Sequence, residues 1–207
     1  MLPLRKSYIS SIIALVFVSM GDCSHAENWA ATTAQVNGGD APMPQKAIQK
    51  TVDDQIWVQL ESADWVVDGK KNAPRIVYTF SDPSCPYCNR FWHAARPWVE
   101  TGKVQLRHLI VGIIKIDSPA KAAAILEAPD RAAALYENES KAGQGGIKPL
   151  TTISASTLRI LDANKALLVS MGFRGTPSII IRDNNGELKR YKGMPQDEEL
   201  IEILGPR

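Results

Sequence analysis

Cysteine, histidine and net charge are all scarce in this 207-residue chain, which holds three cysteines and three histidines. A structural zinc site normally takes four Cys or His ligands in two spaced pairs. Beyond Cys85 and Cys88 only Cys23 and the histidines remain, with His93 the nearest, so zinc is a poor fit. The 24 basic residues are nearly balanced by 22 acidic ones, which leaves no basic stripe for nucleic acid. No apolar run approaches the roughly 20 residues needed to span a bilayer. Internal repeats and long low-complexity runs are also lacking. The length suits one domain, or one with an insertion.

What is present begins with an export signal. Arg5 and Lys6 form a positive n-region, Ile12 to Val18 most of a short apolar h-region, and Ser24-His25-Ala26 a small-x-small cleavage pattern. Residues 1–26 are therefore expected to be a cleavable signal peptide that exports the chain. Met20-Gly21-Asp22 departs from the small-residue pattern that precedes a lipid-modified cysteine, and cleavage after Ala26 removes Cys23. Taking Arg5, Lys6 and Asp22 from the 24 basic and 22 acidic residues leaves 22 and 21. The mature chain keeps two cysteines, both in one motif, and such a pair in an exported protein points to exchange chemistry.

Residues 27–45 contain Asn37-Gly38-Gly39-Asp40 and two prolines and read as a flexible leader. Ile48, Val52, Ile56 and Leu60 then recur every four residues, predicting an amphipathic linker-like helix over 46–66 that docks on its own domain or meets a partner chain. A turn at Asp68-Gly69 leads to a strand over Ile76–Phe80, a helix to Glu100 and a strand from Val104, a βαβ unit. Ser118-Pro119, Asp130 and Ser154 or Ser156 carry helix-start chemistry, so residues 115–172 read as a helical insertion. A β-hairpin around Asp183–Gly186 and a closing helix, Pro195 to Leu204, complete the pattern. Trp92, Trp98, His93 and His108 read as structural. Asp82-Pro83 reads as setting a loop rather than moving protons. Asn138-Glu139-Ser140 is a glycosylation sequon without meaning in a bacterial host.

Cys85-Pro86-Tyr87-Cys88 stands where that first strand passes into its helix. Two cysteines on one helical turn have Cα atoms about 5–5.5 Å apart, within reach of a disulfide. The first sulfur lies among the free N–H groups at the positive end of the helix dipole, which lowers its pKa. Cys85 is then the nucleophile at an exposed helix tip and Cys88 the resolving thiol one turn inside. An inert structural disulfide is the duller alternative, but strand–CxxC–helix is a redox context. Gly175-Thr176-Pro177 precedes the third predicted strand. A cis Thr176–Pro177 bond would set this loop against the dithiol, where its peptide groups pair with an extended substrate.

From Trp57 onward the chain resembles the DsbC/DsbG family of periplasmic thiol:disulfide interchange proteins, its DsbG members more than DsbC. The resemblance rests on Asp64 to Lys71, Phe80-Ser81-Asp82-Pro83-Ser84-Cys85-Pro86-Tyr87-Cys88, Ala95 to Val99, Gly102 to Arg107, Ser118-Pro119-Ala120 and Thr176-Pro177. It implies an α/β, thioredoxin-like fold over 67–207 with a helical insertion. It also implies a redox centre at Cys85 and Cys88, a cis-proline loop at Thr176 and Pro177, and substrate contacts that include Pro86 and Tyr87. The implied activity is an oxidoreductase acting on thiols, disulfides or sulfenic acids of exported proteins. Regeneration by the membrane reductase DsbD is implied as well; no cofactor or metal is. A DsbA-like thiol oxidase and a redox-independent peptide-binding chaperone are the alternatives.

Two departures from the family stand out. The residues ahead of the linker helix are too few for the family's N-terminal dimerisation domain, so a monomer, or a weak dimer through that helix, is expected. Six residues before the first cysteine stands Thr79 rather than the buried acid common to the wider fold, so Cys88 lacks a carboxylate base at that place.

Overall fold

Alternation along the strands decides which helix covers which face of the sheet. The structure, a computed structural model, describes residues 45–206. The expected signal peptide and nearly all of the leader lie outside the described residues. The order of elements is α1 (Gln45–Ser62), β1 (Val66–Asp68), β2 (Arg75–Ser81), α2 (Pro86–Glu100), β3 (Val104–Ile110), α3 (Ser118–Leu126), α4 (Arg131–Ser140), α5 (Ala155–Ser170), β4 (Ser178–Arg182), β5 (Leu188–Lys192) and α6 (Asp197–Leu204). The five strands form one sheet in the order β1-β3-β2-β4-β5. Only β2 and β3 run parallel, joined by α2; the other pairings are antiparallel. This is a thioredoxin-like α/β fold whose helical insertion is α3, α4 and α5.

Odd positions of β2 and even positions of β3 share one face, because Val77 pairs with Leu106 and Thr79 with His108. Toward α2 and α6 that face buries Val77, Leu106, Ile179 and Ile181 against Phe91, Trp98 and Ile203. The opposite face carries Tyr78, Phe80, Leu109 and Ile180, which meet Leu60 of α1, Leu168 of α5 and Phe173. A third cluster joins Val66 and Ile110 to Ala122, Ile125, Leu135 and Leu161 of the insertion.

The predicted helix over 46–66 is cut shorter at its far end. It stops at Ser62, and Val66–Asp68 pair with β3 instead, because three residues are too few to show a period. Its apolar face divides in function as well. Leu60 is fully buried and Ile56 and Trp57 pack on the core, whereas Ile48 and Val52 are 40% and 41% exposed. Asp53 and Asp54 tie this helix to Arg190 and Arg182 of the hairpin. Ser118 is corrected too: Asp117 occupies the N-cap of α3 without a side-chain bond, because the Ser118 hydroxyl is engaged elsewhere. Asp130 and Ser154 do cap α4 and α5, accepting from Ala133 N and Thr157 N.

The short edge strand is locked by charge. Asp68 takes a two-pronged ion pair from Arg96 of α2 and lies 3.6 Å from His108 Nε2 of β3, and the Arg96 guanidinium stacks 4.1 Å over the Trp92 ring. Burial opposes the Asp68 charge, but His108 and Arg96 outweigh it and hold its carboxyl at about 2 instead of 3.8. A depressed carboxyl pKa contributes stability that is complete above the unfolded value and lost as pH falls through the folded one. Asp68→Asn should therefore cost about 2 kcal/mol at pH 7. In urea titrations the gap from the wild-type protein should close between about pH 4 and pH 2.

Candidate functional site

The site begins where β2 ends. Asp82 turns the chain there, is 1% exposed, and its two oxygens accept four hydrogen bonds. The donors are Ser84 N at 2.8 Å, Ile113 N at 2.6 Å, Ile114 N at 3.0 Å and the Ser118 hydroxyl at 2.8 Å. One carboxylate thus fastens the segment before Cys85 to the loop after β3 and to the first residue of α3. Asp82 builds the loop, in keeping with the structural reading of Asp82-Pro83.

Cys85 occupies the N-cap of α2 in extended backbone, and its sulfur accepts the Cys88 N–H at 3.3 Å. Pro86 follows at the first helical position, where a missing N–H costs nothing. The Thr176–Pro177 bond is cis, and the Thr176 carbonyl accepts the Cys85 thiol at 3.3 Å. Both cysteines are free thiols. The expected contrast in exposure is absent, since Cys85 is 5% and Cys88 4% exposed. Electrostatics separates them instead. The Cys88 thiol, the Thr176 side chain and the N–H groups of Cys88 and Tyr87 hold the Cys85 thiol down to about 6 against the cost of burial. Burial first, and the adjacent Cys85 second, push the Cys88 thiol well above the ordinary range.

Thr79 is fully buried and faces the dithiol helix. In place of an acid, its hydroxyl starts a polar chain: 3.5 Å to Ser81, then 3.1 Å from Ser81 to His108 Nδ1, with His108 Nε2 facing Asp68 at 3.6 Å without a hydrogen bond. The buried acid beside the site comes from the insertion. Glu139 of α4 is 4% exposed. The Asn89 amide, one residue after Cys88, donates to its main-chain oxygen at 2.7 Å and to its carboxylate at 2.8 Å. Asn138 is fully buried and donates to Pro83 O at 3.1 Å and to the other Glu139 oxygen at 3.2 Å. Burial pushes the Glu139 carboxyl up against the pull of Asn89, His108 and Asn138. Sequence reading saw only a sequon here, because these contacts join residues about fifty positions apart.

Tyr87 is half-exposed, with the Arg90 guanidinium 5.2 Å over its ring. Among the described residues no three His, Cys, Asp or Glu side chains converge to hold a metal ion. A cavity of about 900 Å³ lies between α1 and the β4–β5 hairpin; neither cysteine lines it.

Two outcomes are expected from this geometry. Iodoacetamide should modify Cys85 far faster than Cys88, with a rate that is half-maximal near pH 6; equal labelling of the two would reverse the assignment. Because the folded carboxyl of Glu139 titrates above its unfolded value, ionising it costs stability as pH rises. Glu139→Gln should therefore gain stability relative to the wild-type protein between pH 4 and pH 8. Any cost of facing one amide with another is constant and does not alter that slope. Chemical denaturation at the two pH values checks it.

Comparison with known proteins bears on the same elements. Over 153 residues the chain is 47% identical to the thiol:disulfide interchange protein DsbG of Pseudomonas aeruginosa, covering 74% of this chain and 60% of that one. It is 40% identical over 161 residues to the same protein of Escherichia coli K12, covering 78% and 65%. It thus spans less than two thirds of the length of either curated relative. A periplasmic thioredoxin-like protein from Salmonella enterica serovar Typhimurium shares the fold at 21% identity, with a TM-score of 0.57 over 73% of this chain and 94% of that one. The thioredoxin-like domain family matches residues 65–205, from the residue before β1 through α6. With its sheet order, its helical insertion and a CxxC pair at the head of α2, the chain belongs to the thioredoxin-like family.

Proposed function

We propose that the protein is a periplasmic thiol:disulfide oxidoreductase that works mainly in the reducing direction on exported proteins. The observation that carries this reading is the Cys85 sulfur, held between the Cys88 N–H and the cis Thr176–Pro177 loop. A thiol held at about 6 is mostly thiolate at neutral pH. The kinship with DsbG of two bacteria supports the same chemistry and compartment.

In the first step the Cys85 thiolate attacks one sulfur of a client disulfide. A Cys85–client bond forms, the client S–S bond breaks, and the departing client thiolate takes a proton. A client sulfenic acid reacts alike, with its oxygen leaving as water after protonation. Cys88 then loses its proton and attacks Cys85. The Cys85–Cys88 disulfide forms, the client leaves as a thiol, and two electrons have passed from the dithiol to the client. Loss of the Cys88 proton is the harder step because burial favours the neutral thiol. A membrane dithiol reductase of the DsbD type returns the two electrons. Thr176 and Pro177, with Pro86 and Tyr87 across the sulfur, hold the client strand.

Cys88→Ser should accumulate a mixed disulfide with clients through Cys85, and Cys85→Ser should form none; both are read on non-reducing gels after acid quenching. The wild-type pair should be largely reduced in acid-quenched cells. A pair found almost fully oxidised would replace the reductase with a DsbA-like thiol oxidase. Undiminished protection of a client from aggregation without either thiol would replace it with a chaperone.

A further inference from the structure

Beside Cys85, on the side of the helical insertion, lies a groove of about 440 Å³ lined by Cys85, Pro86, Arg90, Ile114, Lys115 and Lys121 among others. Its outer wall is tied down by hydrogen bonds. Asp82 holds the backbone N–H groups of Ile113 and Ile114. Lys115 donates its N–H to the Ser118 hydroxyl at 2.9 Å and accepts the Ser118 N–H at 3.0 Å. A Cβ added at Gly112 would stand 2.7 Å from Pro119 Cα, so the loop after β3 packs closely on α3. On this wall Ile114 is 44% exposed, and Ile116, two residues further along the same loop and just outside the lining, is wholly exposed at 102%. Such side chains on an ordered loop beside a reactive sulfur have the character of an interaction surface.

The charge of the groove has one sign. Lys121 is paired with Asp117 at 3.1 Å and donates to Gly145 O at 2.8 Å. Arg90 and Lys115 are exposed and take part in none of the ion pairs among the described residues. Asp82 and Glu139, behind the groove, are 1% and 4% exposed, and amide or hydroxyl donors occupy their oxygens. A visiting chain therefore meets Arg90 and Lys115, two exposed cations outside any close ion pair, of which Lys115 feels Asp117 only at longer range, and exposed aliphatic surface.

We propose that this groove selects client segments in which an acidic side chain lies next to the reactive cysteine, Arg90 and Lys115 receiving the carboxylate while Ile114 and Ile116 cover a neighbouring apolar side chain. The proposal rests on the thiol–disulfide reading and deepens it by naming the client chemistry. The selection acts on encounter and on the mixed disulfide, where the client chain is held across the sulfur.

Two peptides, each in mixed disulfide with glutathione and differing only in Glu or Lys beside the cysteine, test it. Reduction by the dithiol protein should favour the Glu peptide about tenfold in kcat/KM at low ionic strength. The ratio should fall toward one in about 0.5 M salt. Lys115→Glu should invert the preference and Arg90→Gln should weaken it. The ratio cancels any general loss of activity in a variant. Equal rates for the two peptides, or a preference that both variants leave intact, would overturn the groove assignment while the thiol–disulfide reading stands. Reaction with neither peptide, nor with a neutral third one, would instead defeat that reading.

Discussion

The buried Asp82 carboxylate is the constraint on which the site depends. Burying a charged group is costly unless donors replace its water, and four do so here, from three separate segments. Each donor is a part of the chain that must be placed relative to Cys85: the residue before it, the loop that walls the groove, and the start of the insertion. Removing the carboxylate would leave three backbone N–H groups, those of Ser84, Ile113 and Ile114, and the proton of the Ser118 hydroxyl without their acceptor at once. The dithiol at the head of α2, the groove wall and the position of α3 are therefore set together. A second polar knot, Asn89, Asn138 and Glu139, fastens α4 to the same turn.

Much of this architecture is legible in the sequence because its signals are local. Helix starts at Asp130 and Ser154, the strand before the cysteines, and the hairpin turn at Asp183–Gly186 each follow from a few adjacent residues. The βαβ order and the dithiol at a strand-to-helix junction follow as well. The three-residue strand β1 escaped, since it is too short to show a period and is held by β3, by Arg96 and by His108. Ser118 was misjudged because a serine before a proline carries cap chemistry in isolation, whereas Asp82, thirty-six residues earlier, claims its hydroxyl. The site was half legible. Its sulfurs and the proline loop carry motifs; the acid that neighbours them does not.

That acid deserves comparison with the vacant position at Thr79. An acid six residues before the first cysteine would lie on β2 under the dithiol helix. Here the Thr79 and Ser81 hydroxyls lead from that place to His108, which faces Asp68 at 3.6 Å, while the carboxyl stands on α4 across the same helix. The two polar systems meet electrostatically at His108, which favours the charged form of both Asp68 and Glu139. The buried titratable group therefore stands on the insertion rather than on the sheet, tied through Asn89 to the helix that carries the dithiol.

The burial of Asn138 has a consequence for how the protein can be made. Its amide nitrogen is engaged by Pro83 O and Glu139, and the residue has no accessible surface. Oligosaccharide transfer in a eukaryotic secretory pathway acts on Asn-x-Ser while the chain is still unfolded. A glycan attached there would stand where α4 meets the dithiol loop, and that junction could not close. Bacterial or cytosolic synthesis leaves Asn138 bare, whereas a yeast or animal secretion host would need Ser140→Ala to yield the same fold.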